Sequence, residues 1–376
     1  MKKTSLPNRK INMAIIGSNF IVDTFLTAAV EVEEFNFYAI YSRQQATGEA
    51  KALQYDYIND GKKVKVFTDL AVMLDDDNID AVYIASPNSF HAKQAIQCLN
   101  AGKHVLGEKP SASNSKELSE ILSAAIENNC CFMEALMSLH LPNFSLVKQH
   151  IYRIGKPRKY FGQYCQYSSR YSLALDSLAK NKLTPDKPSQ IPNTFLPEFA
   201  NGALIDIGIY PLYPVVALWG EPDTISAQGV KLETGVDGAG DLQLNYGDKI
   251  ANISYSKISN GENFVEFQGE LGRLRIEFVA LMSKVELFLN NGSYELLSMN
   301  KGTNSDKGVI ENHQPMSYEI SHFIELVQAH KHLNKPVKTV NIDALQSPVT
   351  TWELSRQVIS IIDQARKKIG VIYPND

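Results

Sequence analysis

Up to about residue 135, short apolar runs alternate with segments whose apolar residues recur every three to four positions. The runs are Ile11–Ile16, Phe37–Tyr41, Val64–Phe67, Ala81–Ala85, His104–Leu106 and Cys130–Met133. Each is bounded by Gly, Pro, Asn or Asp and shows little alternation, the pattern of a strand covered on both faces. Helices are expected over Phe20–Val30, Thr47–Tyr57, Leu70–Leu74, Phe90–Ala101 and Lys116–Asn128. Ser89 is placed to cap the fourth, and Asn114 with Glu117 forms a capping pair for the fifth. Strand–helix alternation of this kind predicts an α/β fold with a doubly wound parallel sheet.

The pattern changes after about residue 140. Residues 157–168 and 225–299 carry segments that alternate apolar with polar: Asp241–Tyr246, Ile250–Ser256, Phe264–Gln268, Leu274–Phe278 and Val285–Leu289. Turns containing Gly247 and Gly292 separate some of them. An open, mainly antiparallel sheet with one solvated or partner-facing side is expected. Tyr171–Pro197 is polar and proline-rich and reads as a long loop over a cleft. Helical patterns over Ser317–His330 and Asp343–Lys368 close the chain.

Composition narrows the function classes. The length of 376 residues suits two domains, divided at 1–137 and 138–376. Hydrophobic residues at 44% and charged residues at 21% exclude wholesale disorder. A formal net charge of −4 supplies no basic field for nucleic acid. Met1–Lys10 is polar and basic, and the apolar run behind it is too short for a signal peptide. No apolar stretch approaches a membrane span, so the expected location is the cytoplasm, without a membrane partner. Four cysteines make no disulfide framework, and Cys130 and Cys131 read as buried thiols. His330 and His332 stand two apart in a helical pattern and face different ways, and no zinc spacing is present, so no metal is expected.

The chemistry begins where the first strand runs into Gly17, Ser18, Asn19, Phe20, Ile21 and Val22. A pyrophosphate needs a tight turn, close backbone approach and a helix N-terminus aimed at it. Gly17 supplies the turn; Asn19 and Val22 stand where a G-x-G-x-x-G loop has its other glycines, and Asn19 is expected to keep the loop geometry. The second strand ends in Ser42 and Arg43. An arginine there suits the 2′-phosphate of NADP, where an acid would suit the ribose of NAD, so NADP is favoured over NAD.

Three further motifs follow: Ser86-Pro87-Asn88-Ser89-Phe90-His91, then Gly107-Glu108-Lys109-Pro110, then Asp206-Ile207-Gly208-Ile209-Tyr210. As a set they make the chain similar, over nearly its whole length, to the glucose–fructose oxidoreductase, inositol dehydrogenase and rhizopine-catabolism (Gfo/Idh/MocA) family. The tyrosine in place of the commoner histidine resembles the dihydrodiol and xylose dehydrogenase branch. The resemblance implies an N-terminal Rossmann domain and a C-terminal α/β domain whose open sheet builds the substrate cleft and a homodimer or homotetramer interface. It implies that Lys109 is the catalytic lysine, Tyr210 its acid/base partner and Asp206 a neighbour holding the site. Ser86, Pro87, Asn88, His91, Glu108 and Pro110 would border the nicotinamide. The sequence departs from the family at Asn19, at Val22 and at Leu139, where many relatives carry an arginine.

The implied reaction is hydride transfer between the cofactor and a sugar, polyol or related small molecule, with the protein handling the proton. An ammonium beside a phenol favours the phenolate, so Lys109 is expected to lower the Tyr210 pKa, with His140 next in line as proton carrier. Two rivals share the fold: an NAD-dependent glycoside hydrolase and a silent dinucleotide-binding sensor.

Overall fold

The computed structural model describes residues 9–59, 61–183, 190–298, 314–333 and 340–376, without the side chains of 181–183 and 331–333. The start of the polar N-terminal segment, Met1–Asn8, part of the Tyr171–Pro197 segment and the His332 side chain therefore lie outside the described residues.

The first layer alternates as the pattern predicts: β1 (Ile11–Ile16), α1 (Phe20–Ala29), β2 (Phe35–Tyr41), α2 (Gln45–Gln54), β3 (Lys65–Phe67), α3 (Leu70–Leu74), β4 (Ala81–Ile84), α4 (His91–Asn100), β5 (His104–Glu108), α5 (Ser115–Glu127) and β6 (Phe132–Ala135). The six strands are parallel in the order β3-β2-β1-β4-β5-β6. The order reverses between β1 and β4, which opens a crevice beyond the strands' carboxyl ends. Residues such as Ile15, Ile40, Tyr83 and Leu106 are wholly buried, which is why these runs lack alternation. Asn114 caps α5 as expected, accepting from Glu117 N at 2.9 Å, and Glu117 reaches back to Ser113 N. Ser89 does not cap α4: it lies in a 3₁₀ turn, Asn88–Phe90, that leads directly into the helix.

Beyond β6 come α6 (Met137–His140), α7 (Pro142–His150), β7 (Pro157–Cys165), α8 (Tyr171–Leu183) and α9 (Ile209–Trp219). Then follow β8 (Thr224–Lys231), β9 (Asp237–Asn245), β10 (Ile250–Ser256), β11 (Phe264–Gly269), β12 (Gly272–Glu277), β13 (Lys284–Leu289), β14 (Tyr294–Leu296), α10 (Ser317–Leu333) and α11 (Trp352–Ile369). The eight strands form one sheet, β14-β13-β12-β11-β7-β10-β9-β8, in which only β7 and β10 run parallel. Two expectations need correcting. Tyr171–Pro197 is not all loop, because its first 13 residues form α8. The last helix does not start at Asp343: a 3₁₀ turn at Ile342–Ala344 comes first, Pro348 follows, and Thr351 caps α11.

Helix α9 lies close on the inner face of this sheet. A side chain at Gly162 would meet Pro211 Cβ at 2.8 Å, so glycine lets the helix approach. Helix α10 returns to the first layer, burying Ile320, Phe323, Ile324 and Val327 in the same core as β1 and β2. Helix α11 straddles both layers, with Trp352 and Ile359 in one core and Val358 and Ile362 in the other. Within Pro197–Trp219 one window reaches a mean hydropathy of 1.4, enough by length and composition alone to cross a membrane, but the stretch is interrupted at Ala200 and Gly202. That window is 67% buried within the chain, as a core helix of this composition is.

Candidate active site

The loop after β1 is held by two devices. Gly17 has φ +123°, and a Cβ there would lie 2.7 Å from the Ala85 carbonyl oxygen at the end of β4. Only glycine meets both conditions. Asn19 was expected to take over a glycine's backbone geometry, and it does not: its φ of −77° and ψ of 179° are ordinary extended values. It works through its side chain, which accepts from Ile21 N at 3.2 Å to cap α1 and donates to the Ala85 carbonyl at 3.0 Å. Val22 is wholly buried under the loop. Ser18 and Ile21 are half-buried, and Phe20 stands 69% exposed at the helix N-terminus. After β2, Ser42 is buried and donates to Gln44 O at 2.9 Å, leaving Arg43 exposed beside it.

The loops after β4 and β5 are tied together from beneath. His91 is buried, with Nδ1 2.7 Å from Pro110 O and Nε2 2.7 Å from Ser86 O. Burial holds its pKa below the usual histidine value. Glu108 is also buried and accepts from Tyr83 OH at 2.6 Å and Lys109 N at 3.2 Å. Both residues thus brace the loops. Ser86 donates to Gln94 Oε1 at 2.6 Å, and Asn88, next to Pro87, donates to Ala200 O at 3.0 Å, joining the two layers.

Lys109 reaches across to the second layer. Its Nζ donates to the Asp206 carbonyl at 2.7 Å and to Asp206 Oδ1 at 3.0 Å, and lies 4.9 Å from the centre of the Tyr210 ring. Asp206 sits in a π-helical turn, Leu204–Gly208, that leads into α9. Pro211 withholds one N–H from this stretch, and the Asp206 carbonyl accepts from Lys109. The other Asp206 oxygen, Oδ2, pairs with Lys257, whose Nζ also donates to Thr194 Oγ1. Neither Lys257 nor Thr194 belongs to a motif; a lone lysine after an alternating strand reads as a surface charge, and only the fold reveals it as buried.

The electrostatics correct one expectation. Burial raises the Tyr210 pKa above the ordinary tyrosine value, and the opposing pull of Lys109 is the smaller effect. Burial works against the charge on Lys109, yet the negative charge that Tyr210 carries once ionised, with that of Asp206 and Glu108, outweighs it and raises its pKa. Burial likewise opposes ionisation of Asp206, but Lys109 and Lys257 together hold it below the usual carboxylate range. The cleft therefore holds a charged lysine, a charged aspartate and a protonated phenol at neutral pH. That set can give a proton to an oxygen on which negative charge develops.

His140 lies elsewhere. Its ring packs 4.9 Å from His322, its Nε2 is 3.4 Å from Thr350 Oγ1, and burial drives its pKa down to about 3. It is neutral near pH 7 and is no substitute proton carrier. Of the aromatic residues on and after β7, Tyr160 is core, Tyr164 packs 5.5 Å from Tyr210, and Tyr171 packs against Phe195. Among the described residues His104, Cys131 and His330 bring ligand-type atoms within 4.8 Å of one another, all buried. His104 Nδ1 accepts from Cys131 N at 2.9 Å.

Residues 11–136 match the model of the GFO/IDH/MocA oxidoreductase family with an NAD-binding Rossmann fold, and residues 153–275 match that of the GFO/IDH/MocA C-terminal domain. The chain is 37% identical to the scyllo-inositol 2-dehydrogenase (NADP(+)) IolU of Bacillus subtilis, covering 97% of this chain and 99% of that protein. It is 27% identical to the trans-1,2-dihydrobenzene-1,2-diol dehydrogenase of Mus musculus, over 97% and 99%. In fold it is similar to KijD10, a 3-ketoreductase from Actinomadura kijaniata solved with NADP and TDP-benzene, with a TM-score of 0.75 at 20% identity over 97% and 99% of the two chains.

Proposed function

The chain belongs to the GFO/IDH/MocA oxidoreductase family and is an NAD(P)-dependent oxidoreductase; from that premise we propose that it interconverts a secondary alcohol of a cyclic polyol, such as an inositol, and the matching ketone, using NADP. The observation that carries the reading is the Lys109 ammonium, bound to Asp206 and 4.9 Å from the Tyr210 ring, at the carboxyl end of β5. The residues fit a dinucleotide: the backbone at Gly17 leaves no room for a side chain, the loop leads into the N-terminus of α1, and Arg43 is exposed. The bound nicotinamide supplies the hydride chemistry. Lys109 steadies the developing charge on the substrate oxygen, Tyr210 gives or takes its proton, and Asp206 holds Lys109. The 37% identity to an NADP-dependent inositol dehydrogenase supports the polyol class, and Arg43 supports NADP.

In this reading residues 1–137 bind the cofactor and residues 138–376 bind the substrate, with α10 packed back on the first layer. Four free, buried cysteines suit a reducing cytoplasm. The outer face of the eight-stranded sheet carries Phe264 under Arg275 and Phe288 under Arg273, which supports a homo-oligomer formed through that face. The test is a nicotinamide absorbance assay with NADP and NAD against inositols, aldoses and diols. Turnover of an inositol with NADP is expected; turnover of open-chain aldoses alone would overturn the cyclic-polyol assignment.

A further inference from the structure

Asp206 serves two lysines. Its carbonyl and Oδ1 are taken by Lys109, and its Oδ2 by Lys257. Lys257 follows β10, and its side chain is 7% exposed, so its ammonium is far from an ordinary solvated surface charge. A buried ammonium is costly unless paired, and the partners it has are Asp206 and Thr194 Oγ1. Thr194 stands in the 3₁₀ turn Asn193–Phe195, ahead of the π-helical turn that carries Asp206. Lys257 therefore ties three separate stretches of the chain to one carboxylate. Asp206 divides its charge between two ammonium groups instead of meeting Lys109 alone; Glu108 beside Lys109 and Asp237 beside Lys257 are the neighbouring acids.

We infer that Lys257 is a positioning residue for the reaction proposed above: it occupies one oxygen of Asp206, fixes that carboxylate against Lys109, and offsets part of the Asp206 charge that would otherwise act on Lys109, Tyr210 and the substrate oxygen. The inference rests on the roles proposed for Lys109 and Tyr210. The charged and titratable groups around Tyr210 are Lys109, Glu108, Asp206, Tyr164 and Tyr83, and those around Lys257 are Asp206 and Asp237. Neutralising Lys257 lets the Asp206 charge act on Tyr210 uncompensated, so the phenol holds its proton to higher pH.

The experiment is the pH dependence of kcat/KM for alcohol oxidation by the full-length protein, with NADP and scyllo-inositol or whichever polyol is turned over fastest. Oxidation needs Tyr210 as a base, so the rate climbs with pH. In Lys257→Gln and Lys257→Met the climbing limb should move to higher pH by about half a unit or more. It should return in Lys257→Arg, which keeps the charge, and stay in place in Thr194→Val. NADPH affinity should hold in all four. Should Lys257→Met fail to fold, Lys257→Gln, which keeps a donor toward Thr194, decides the matter. A folded Lys257→Gln whose whole profile falls without displacement has lost structure only, and overturns the inference. Parallel measurement of Tyr210→Phe separates the two levels. If that variant keeps the parental limb, the proton role of Tyr210 itself fails. If the limb vanishes there yet does not move in Lys257→Gln, only the role of Lys257 fails.

Discussion

Arg43 and Asn19 stand on the loops after β2 and β1, and the roles proposed for them rest on different physics. Arg43 is exposed just after β2, and the contribution proposed for it is a contact with the 2′-phosphate of NADP. Arg43→Ala should weaken NADPH binding by about tenfold or more, roughly 1.4 kcal/mol, and leave NADH affinity unchanged. Fluorescence titration of both cofactors checks this, and an equal effect on the two would point away from the 2′-phosphate. Asn19 matters before any ligand binds, because it caps α1 and ties the loop to Ala85. Asn19→Ala should lower the unfolding free energy by about 1 kcal/mol in a denaturant titration. An unchanged midpoint would show that the cap contributes nothing. Gly17, Lys109, Asp206 and Tyr210 were legible because their motifs have fixed spacing. The behaviour of Asn19 and the place of Lys257 were not. The first depends on a carbonyl 66 residues away and the second on an aspartate 51 residues away, and no local pattern encodes either.

The π-helical turn Leu204–Gly208 is the element on which the site depends, and its N-terminus is held by a buried acid. Asp237 accepts from Leu204 N at 2.7 Å. Burial raises its pKa to about 6, against the pull of that N–H and of Lys257. A carboxyl raised in the folded state favours folding while it is protonated. That advantage is full below the unfolded value of about 3.9 and is lost as pH rises to about 6. Asp237→Asn keeps an acceptor for Leu204 and removes the charge. It should therefore raise thermal stability at pH 8, by up to about 2 kcal/mol, and change it little at pH 4. A gain of equal size at both pH values would exclude the titration as its cause. Elements were well read where periodicity and burial agree, as in β1 to β6, whose strands are covered on both faces. Helix α8 escaped because its opening has little amphipathic contrast and its surroundings are rich in proline. The start of α11 was misplaced because a 3₁₀ turn at Ile342–Ala344 imitates a helical turn before Pro348.

At the scale of the molecule, two sheets built by different rules share one cleft. The parallel sheet presents Gly17, Ser86 and Lys109 at the carboxyl ends of β1, β4 and β5. The second layer brings Asp206 and Tyr210 on the run into α9, and Asn88 and Lys109 bridge the two. The fold class was legible in full from the switch between patterns near residue 140; the mutual placement of the layers was legible only through the family motifs. Because partial burial raises the Tyr210 pKa, it is a phenol at neutral pH and suited to protonate a ketone oxygen. With NADPH and a ketone, the rate should stay flat through neutral pH and fall only above the ordinary tyrosine value of about 10.

The most direct test is Tyr210→Phe, which removes one oxygen and leaves the ring to pack against Tyr164. Turnover should fall by about a hundredfold or more, with NADPH affinity and thermal stability unchanged. A folded Tyr210→Phe that binds NADPH and keeps near-parental turnover would contradict the account, since the proton would then pass through another group.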